Sequence, residues 1–293
     1  VVIYQSGKPE FKGNLHLHTA KSDGRKSPME AALLYEEKGY DFLAITDHNR
    51  LTELPEYRGR MLLVPGIELD EAPNGREVIH LLGIGVDAGF MGRLKPGMKS
   101  QDAVDLVNQA GGACILAHPH WSLNRVETVS ALAGLSGVEI YNSVSRPPYN
   151  GDRADSTFLL DQLAADGSLY PTTAADDTHF YGEEVAQSYV LLQADALTVS
   201  SVVSSLREGR FYASQGPRFE SVTYEGGVVT VACSAVKTVL FHSNLVWSDF
   251  RVVSGESVTH ASYRVEKARG ERFIRVILID GEGRRAWMKP FAV

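Results

Sequence analysis

The stretch "GNLHLHTAKSDG", Gly13 to Gly24, decides how this chain is read. Leu15 and Leu17 alternate with His16 and His18, so in a strand of period two both imidazoles fall on one face and both leucines on the other. Two imidazoles on one face form half of a metal site. The same habit recurs along the chain. His48 ends "FLAITDH", Glu68 ends "LLVPGIE", His118 ends "CILAH", and Asp177 with His179 ends "YPTTAADDTH". A single histidine in such a place is ordinarily capped by a neighbour. Five apolar runs that each close on His, Asp or Glu have no packing reason to do so, and burying that many titratable groups unpaired would cost several kcal/mol each.

Between these runs lie helical segments. "PMEAALLYEEKGY" starts with Pro28 and reaches Gly39 near its end, the ordinary punctuation of a helix, and "SQDAVDLVNQAGG", "VETVSALAGL" and "ADSTFLLDQLAADG" follow. Strand and helix alternate from Phe11 to about Tyr212, which predicts a parallel α/β domain, with barrel and open sheet both compatible with the periodicity. In such folds the C-terminal strand ends converge on one face, so the polar run ends would meet there. After "LREGRFYASQGP" the pattern changes to alternating, β-branched runs broken by "EGG" and "DGEG". The expected division is an α/β domain over 1–214 and a smaller all-β, sandwich-like domain over 215–293.

Composition sets the outer limits. The 293 residues are 44% hydrophobic and 22% charged, enough for a full core. No apolar run approaches twenty residues, and "VVIYQSGKPEF" lacks the basic and apolar regions of an export signal, so the expectation is a soluble, cytoplasmic chain with no membrane partner. Cys114 and Cys233 lie in apolar runs outside any CxxC pair and are expected to be buried free thiols. The net charge of −7 divides into −10 over residues 1–216 and +3 over 217–293. An acidic catalytic region without long basic tracts disfavours a grip on duplex nucleic acid and points to small substrates. Bound cations would reverse its local field.

Imidazole and carboxylate without thiolate suit Zn²⁺, Mn²⁺ or Fe²⁺, and there are too many donors for one ion. Glu68 is placed to bridge two ions, the usual clamp for phosphoester hydrolysis.

"HLHTAKSDG", "AITDHN", "VPGIE", "HLLGIG", "AHP", "VEIYN" and "DDTH", in this order, resemble the motifs of the PHP (polymerase and histidinol phosphatase) family over about Gly13 to Ser214. The resemblance implies a distorted (β/α)7 TIM-like barrel, a metal centre usually of three ions at the strand ends, and phosphoesterase activity. It implies that His16, His18, Asp177 and a bridging Glu68 hold the first ion, His80 and His118 complete the second around Glu68, and Asp23, His48 and His179 hold the third. Glu68, Asp177 and His120 are the candidate catalytic residues, His120 as a proton donor. Arg146 and Lys21 are candidate phosphate contacts. Asp47 reads either as an acceptor that fixes an imidazole tautomer or as a helix cap, and Asp176 as a supporting or surface residue. "GRFYASQGP" and "IDGEGRRAWMKP" resemble a module that follows the PHP domain in one bacterial branch. There, Trp247 and Trp287 allow a polymer-binding surface, core packing being the more ordinary role.

The expected function is hydrolysis of a small phosphorylated metabolite or nucleotide, with two to three divalent ions and a hydroxide held between two of them attacking phosphorus. No GxSxG-type nucleophile motif is present. A metal-dependent amidohydrolase or lactonase on the same face, or a non-catalytic polymer-binding module, are the alternatives.

Overall fold

In the computed structural model, which describes residues 1–71 and 76–293, the apolar runs form strands and the segments between them form helices. In chain order these are β1 (Val2–Gln5), β2 (Glu10–Asn14), α1 (Pro28–Glu37), β3 (Phe42–Ile45), β4 (Leu62–Glu71), β5 (Ile79–Ile84), α2 (Phe90–Arg93), α3 (Ser100–Gln109), β6 (Ala113–Leu116), α4 (Val126–Ser130) and β7 (Gly137–Asn142). They continue with α5 (Thr157–Ala165), β8 (Thr172–Ala175), β9 (Tyr189–Gln193), α6 (Val199–Glu208), β10 (Phe211–Ser214), β11 (Phe219–Glu225), β12 (Val228–His242), β13 (Val252–Arg264), β14 (Phe273–Ile279), β15 (Arg285–Trp287) and β16 (Phe291–Ala292).

Local chemistry accounts for the helices. Ser27 caps α1 by accepting from the Glu30 amide, while the Glu30 carboxylate accepts from the Ser27 amide, and Pro28 occupies the first turn where its missing N–H costs nothing. In α3 the buried side chains are Ser100, Ala103, Val104, Leu106 and Val107, one stripe of a 3.6-residue period that packs on β5 and β6. The strands β3 and β6 are buried at every position, as expected of strands covered on both faces. Gly13 belongs to the close packing at the centre: a Cβ there would run into the Phe42 ring.

The strand order differs from the expected parallel barrel. One path of hydrogen-bonded strands runs β1-β11-β12-β14-β15-β10-β9-β2-β3-β4-β5-β6-β7-β8, with β13 on β12 and β16 on β14, and this ladder does not close. β2-β3-β4 and β6-β7-β8 are parallel, but β4 with β5, β5 with β6, and β2 with β9 are antiparallel. Only residues 72–78 lie between β4 and β5, too few for the crossover that a parallel pair requires. The two ends of the α/β part are hydrogen-bonded to each other just beyond their strands. There Leu17 and Thr178 form an isolated bridge, with the His18 amide donating to the Thr178 carbonyl and the Asp177 amide to the His16 carbonyl, both at 2.9 Å.

The C-terminal strands continue the same sheet through β10 and β15, and β1 from the N-terminus pairs with β11. Most of their apolar side chains form a core of their own, with Tyr4, Val222, Val231, Val239, Phe241 and Ile274, that also takes in Leu191 of β9 and Tyr212 of β10, while Ile277 and Trp287 pack into the core of the α/β part. Trp287 is fully buried and stacks on Tyr141, ring centres 5.6 Å apart, so it is core and not a polymer-binding surface. Trp247 is 70% exposed. Both cysteines are buried and free. Among the described residues no helix is long and apolar enough to cross a membrane.

One buried charge ties the C-terminal strands to α5. Arg275 of β14 is buried and its guanidinium meets the Asp161 carboxylate, which also accepts from His242 Nδ1 at 3.1 Å. Asp161→Ala should lower stability by about 3 kcal/mol in equilibrium denaturation, the low end of the cost of stranding a buried charge, because Arg275 keeps the Thr157 carbonyl at 3.4 Å. A change below about 0.5 kcal/mol would show that the pair is not holding the two parts together.

Candidate metal centre

Glu68 stands at the centre of the converging residues. Its Oε2 lies 3.3 Å from His16 Nε2, 3.0 Å from His18 Nε2 and 3.3 Å from His48 Nδ1. Its Oε1 lies 2.8 Å from His80 Nδ1 and 3.3 Å from His118 Nε2. Asp177 Oδ1 sits 3.1 Å from both His16 Nε2 and His18 Nε2, while Asp23 Oδ2 is 3.3 Å from His179 Nε2 and 3.6 Å from His48 Nε2. All nine residues expected as ligands thus share one region.

The topology explains each position. His16 and His18 lie just past β2, His48 past β3, His118 past β6, and Asp177 and His179 past β8. His80 is near the start of β5 and reaches the same place because β5 runs antiparallel to its neighbours. Asp23 returns on a turn whose Gly24 amide donates to the Thr19 carbonyl, and a Cβ at Gly24 would collide with the His18 carbonyl. His118 and Asp177 take left-handed backbone conformations, φ 27° and 52°, which ordinary side chains avoid and which cluster at functional sites.

Behind the cluster sits a residue that strand-end reasoning missed. Glu139 of β7 is buried; its Oε1 accepts from His16 Nδ1 at 2.9 Å, and its Oε2 accepts from the His118 amide at 2.8 Å and Asn142 Nδ2 at 3.0 Å. With Nδ1 committed outward, His16 presents the Nε2 lone pair to the cluster. His179 is fixed in the same sense by its own Nδ1 donating to the Asp177 carbonyl at 2.8 Å. Asn142 also donates to Asp177 Oδ2 at 3.1 Å. Glu139 falls in the quoted "VEIYN", mid-strand, where position gives no sign of its role.

Asp47 does not touch an imidazole. It accepts from the Thr19 amide and from the hydroxyls of Thr19, Ser22 and Thr52, and so fixes the turn that carries Asp23. Asp176 is fully buried and not on the surface: it accepts from Tyr35 and from the amides of Ala186, Gln187 and Ser188, and burial pushes its carboxyl up to about 6 despite these bonds.

The donors fit divalent ions. Glu68 Oε2, Asp177 Oδ1 and His48 Nδ1 are buried and make no hydrogen bond, although each faces the cluster. Four sets of ligand atoms lie within 4.8 Å of one another: His18, Asp23, His48 and His179; His16, His18 and Glu68; His16, His118 and Asp177; His48, Glu68 and His80. All offer nitrogen or oxygen and none sulfur, the donor set of Zn²⁺, Mn²⁺ or Fe²⁺. Without ions the cluster is held by protons. Burial opposes the charged imidazolium of His16, but the Asp177, Glu68 and Glu139 carboxylates outweigh it and hold its pKa well above the usual range. The same balance raises His18 to about 9. Burial works to raise Glu68 and Asp177, yet the surrounding imidazoles hold both well below the usual carboxylate range.

Exposure grades across the centre. His16, His18 and Glu68 are buried, whereas Asp23 is half-exposed and His48, His80 and His179 border a cleft of about 230 Å³. The far wall is Trp121, Val144, Ser145, Tyr149, Asn150 and Phe180. The sequence reading named none of these six. Conversely, His120, Arg146 and Lys21 do not line the cleft. His120 Nδ1 donates to the Asp155 carbonyl at 2.7 Å, Arg146 reaches the Glu183 carbonyl at 3.5 Å, and Lys21 borders a separate hollow with Glu53 and Glu56. Their side chains are thus placed outside the cleft lining, each with a partner or hollow of its own.

No protein-family model and no curated protein matches the chain. Solved structures do. A two-domain protein from Bacteroides vulgatus, described as containing a predicted PHP-like metal-dependent phosphoesterase, aligns with 14% identity over 100% of this chain and 97% of that one, TM-score 0.57. An amidohydrolase from Chromobacterium violaceum, with bound sulfate and no metal, aligns with 18% identity over 68% of this chain and 96% of that one, TM-score 0.47. The first likeness is one of fold, and it spans both chains almost end to end: this chain shares the fold of that two-domain protein.

Two outcomes follow from the geometry. The raised imidazoles stabilise the metal-free fold fully below about 6.5, and that contribution is lost as pH rises through about 9, while ions compete better as those protons leave. The rise in Tm on adding Mn²⁺ should therefore be larger at about pH 8.5 than at about pH 6 in scanning calorimetry, and an equal rise at both would contradict proton displacement. Glu139→Gln should weaken metal affinity about 10- to 100-fold in a calorimetric titration. Unchanged affinity would assign Glu139 to packing alone.

Proposed function

We propose that the chain is a metal-dependent hydrolase of phosphate esters that acts on small phosphorylated molecules. The observation that carries the reading is the buried Glu68 carboxylate, ringed by five imidazoles, whose Oε2 has no hydrogen-bond donor. The fold is shared with a protein described as containing a predicted PHP-like metal-dependent phosphoesterase, which supports the same class.

In the partition that the motifs imply, two to three divalent ions would be held by His16, His18, Asp177 and Glu68; by His80, His118 and Glu68; and by Asp23, His48 and His179, whereas the converging atoms group His80 with His48 and Glu68, and His118 with His16 and Asp177. When bound, such ions supply Lewis acidity toward phosphoryl oxygens and make coordinated water acidic near neutral pH. The chain's own residues do the placing. Glu139 and the Asp177 carbonyl orient His16 and His179, and Asn142 braces Asp177. The half-open side at Asp23, His48 and His179 leaves one direction for substrate to approach. Cys114 and Cys233 are buried away from the cleft, and burial pushes both thiols up, so neither is poised as a nucleophile.

The test is hydrolysis of an aryl phosphate by protein purified without chelator, across added Mn²⁺, Zn²⁺ and Fe²⁺. Metal-dependent phosphate release should fall by more than about 100-fold in Glu68→Ala. Full metal loading with no phosphate release, and with turnover of an amide or lactone instead, would overturn the phosphoester assignment in favour of carbonyl hydrolysis.

A further inference from the structure

The cleft wall opposite the ligands has a chemistry that the phosphoesterase reading leaves unused. Among the described residues no lysine or arginine lines the cleft; the wall is Trp121, Val144, Tyr149 and Phe180, with Ser145 and Asn150 as its polar members. Its aromatic rings are fixed in place. Phe180 and Tyr149 stack with ring centres 4.9 Å apart and planes 12° from parallel. The loop that carries Phe180 is pinned by the buried Glu184 carboxylate, which accepts from the amides of Phe180, Tyr181 and Gly182 at 2.6–2.9 Å. Trp121 meets His118 and His80 edge-on at 4.8 and 5.9 Å, so one edge of the wall abuts the ligands themselves. The guanidinium of Arg25 rests on the Phe180 ring, 4.8 Å from its centre, outside the lining.

From this wall, and resting on the phosphoesterase reading, we infer that the substrate is a phosphomonoester whose alcohol part is a single uncharged planar ring, held against Trp121, Tyr149 and Phe180. Three considerations converge. A rigid aromatic wall rewards a flat apolar group by area and by ring–ring contact. The charge of ions among Asp23, Glu68 and Asp177 is largely answered by one phosphoryl dianion, and a second anion would enter a cleft whose lining offers it no cation. The volume, about 230 Å³, lies below the roughly 300–1,000 Å³ of pockets that enclose drug-sized ligands, so it suits one small group beside the phosphate and not an oligomer. In the reaction, water's oxygen forms the new bond to phosphorus, the bond from phosphorus to the ring-bearing oxygen breaks, and the alcohol departs with a proton from that water.

The experiment uses the full chain reconstituted with Mn²⁺ and compares non-hydrolysable phosphonates, so that leaving-group reactivity plays no part. Inhibition constants are measured for benzylphosphonate, methylphosphonate and 4-carboxybenzylphosphonate against turnover of benzyl phosphate, with metal content determined in every sample. Benzylphosphonate should bind about 10- to 100-fold more tightly than either of the others. Phe180→Ala and Tyr149→Ala should each erode that preference while methylphosphonate affinity holds; Phe180 neighbours the ligand His179, ring centres 6.3 Å apart, so the Tyr149 variant, with the metal content of each sample, separates wall from metal loading. Equal binding of the three phosphonates, or tighter binding of the carboxylated one, with benzyl phosphate hydrolysis intact, would overturn the inference and leave the phosphoesterase reading standing. No hydrolysis of any phosphomonoester at full metal loading would overturn the reading on which it rests.

Discussion

A carboxylate with no exposure to water, surrounded by imidazoles, is the constraint on which the rest of this structure depends. An ionised Glu68 in an apolar interior would cost several kcal/mol, and a protonated one would leave five ring nitrogens without a reason to converge. Only positive charge at the centre satisfies the whole set. Protons can supply it in part, which is why His16 and His18 are held above their usual range. They leave Glu68 Oε2, Asp177 Oδ1 and His48 Nδ1 without hydrogen bonds, and ions would take up all three.

The fold is arranged around that requirement. Strands β2, β3, β6 and β8 deliver ligands just past their C-terminal ends and β4 delivers Glu68 from its C-terminal half, and the two ends of the α/β part are joined where Leu17 meets Thr178, between the ligands His16, His18, Asp177 and His179. The left-handed conformations of His118 and Asp177 are each unfavourable by about 1–3 kcal/mol in isolation. They are secured by the bond from the His118 amide to Glu139 and from the Asp177 amide to the His16 carbonyl. Stability is spent there on geometry, as at other functional sites.

Much of this was legible in the sequence because period-two alternation and the closing residue of an apolar run are local properties. "NLHLH", "FLAITDH" and "CILAH" declare their histidines without any knowledge of the tertiary structure. Strand direction is not local, so the antiparallel β5 and the open ladder were not visible, although the short 72–78 connection limited the choice. Glu139 was hidden for a related reason: its partners, His16 and the His118 amide, are remote in sequence, and it sits mid-strand as a core residue would. His120, Arg146 and Lys21 were singled out by nearness in sequence to ligand motifs. Nearness did not carry their side chains into the cleft, because turns after strand ends redirect the chain within one or two residues. The aromatic wall comes from three separate loops whose residues look like ordinary surface aromatics until the fold assembles them.

The central claim is that the atoms around Glu68 are metal ligands, and anomalous diffraction from crystals of the full chain grown with Mn²⁺ or Zn²⁺ tests it most directly. The account predicts two or three peaks within bonding distance of Glu68, Asp177 and the His48, His80, His118 and His179 rings, all with nitrogen and oxygen neighbours. Crystals of folded protein with no anomalous density at Glu68, or with density only at surface carboxylates, would contradict it.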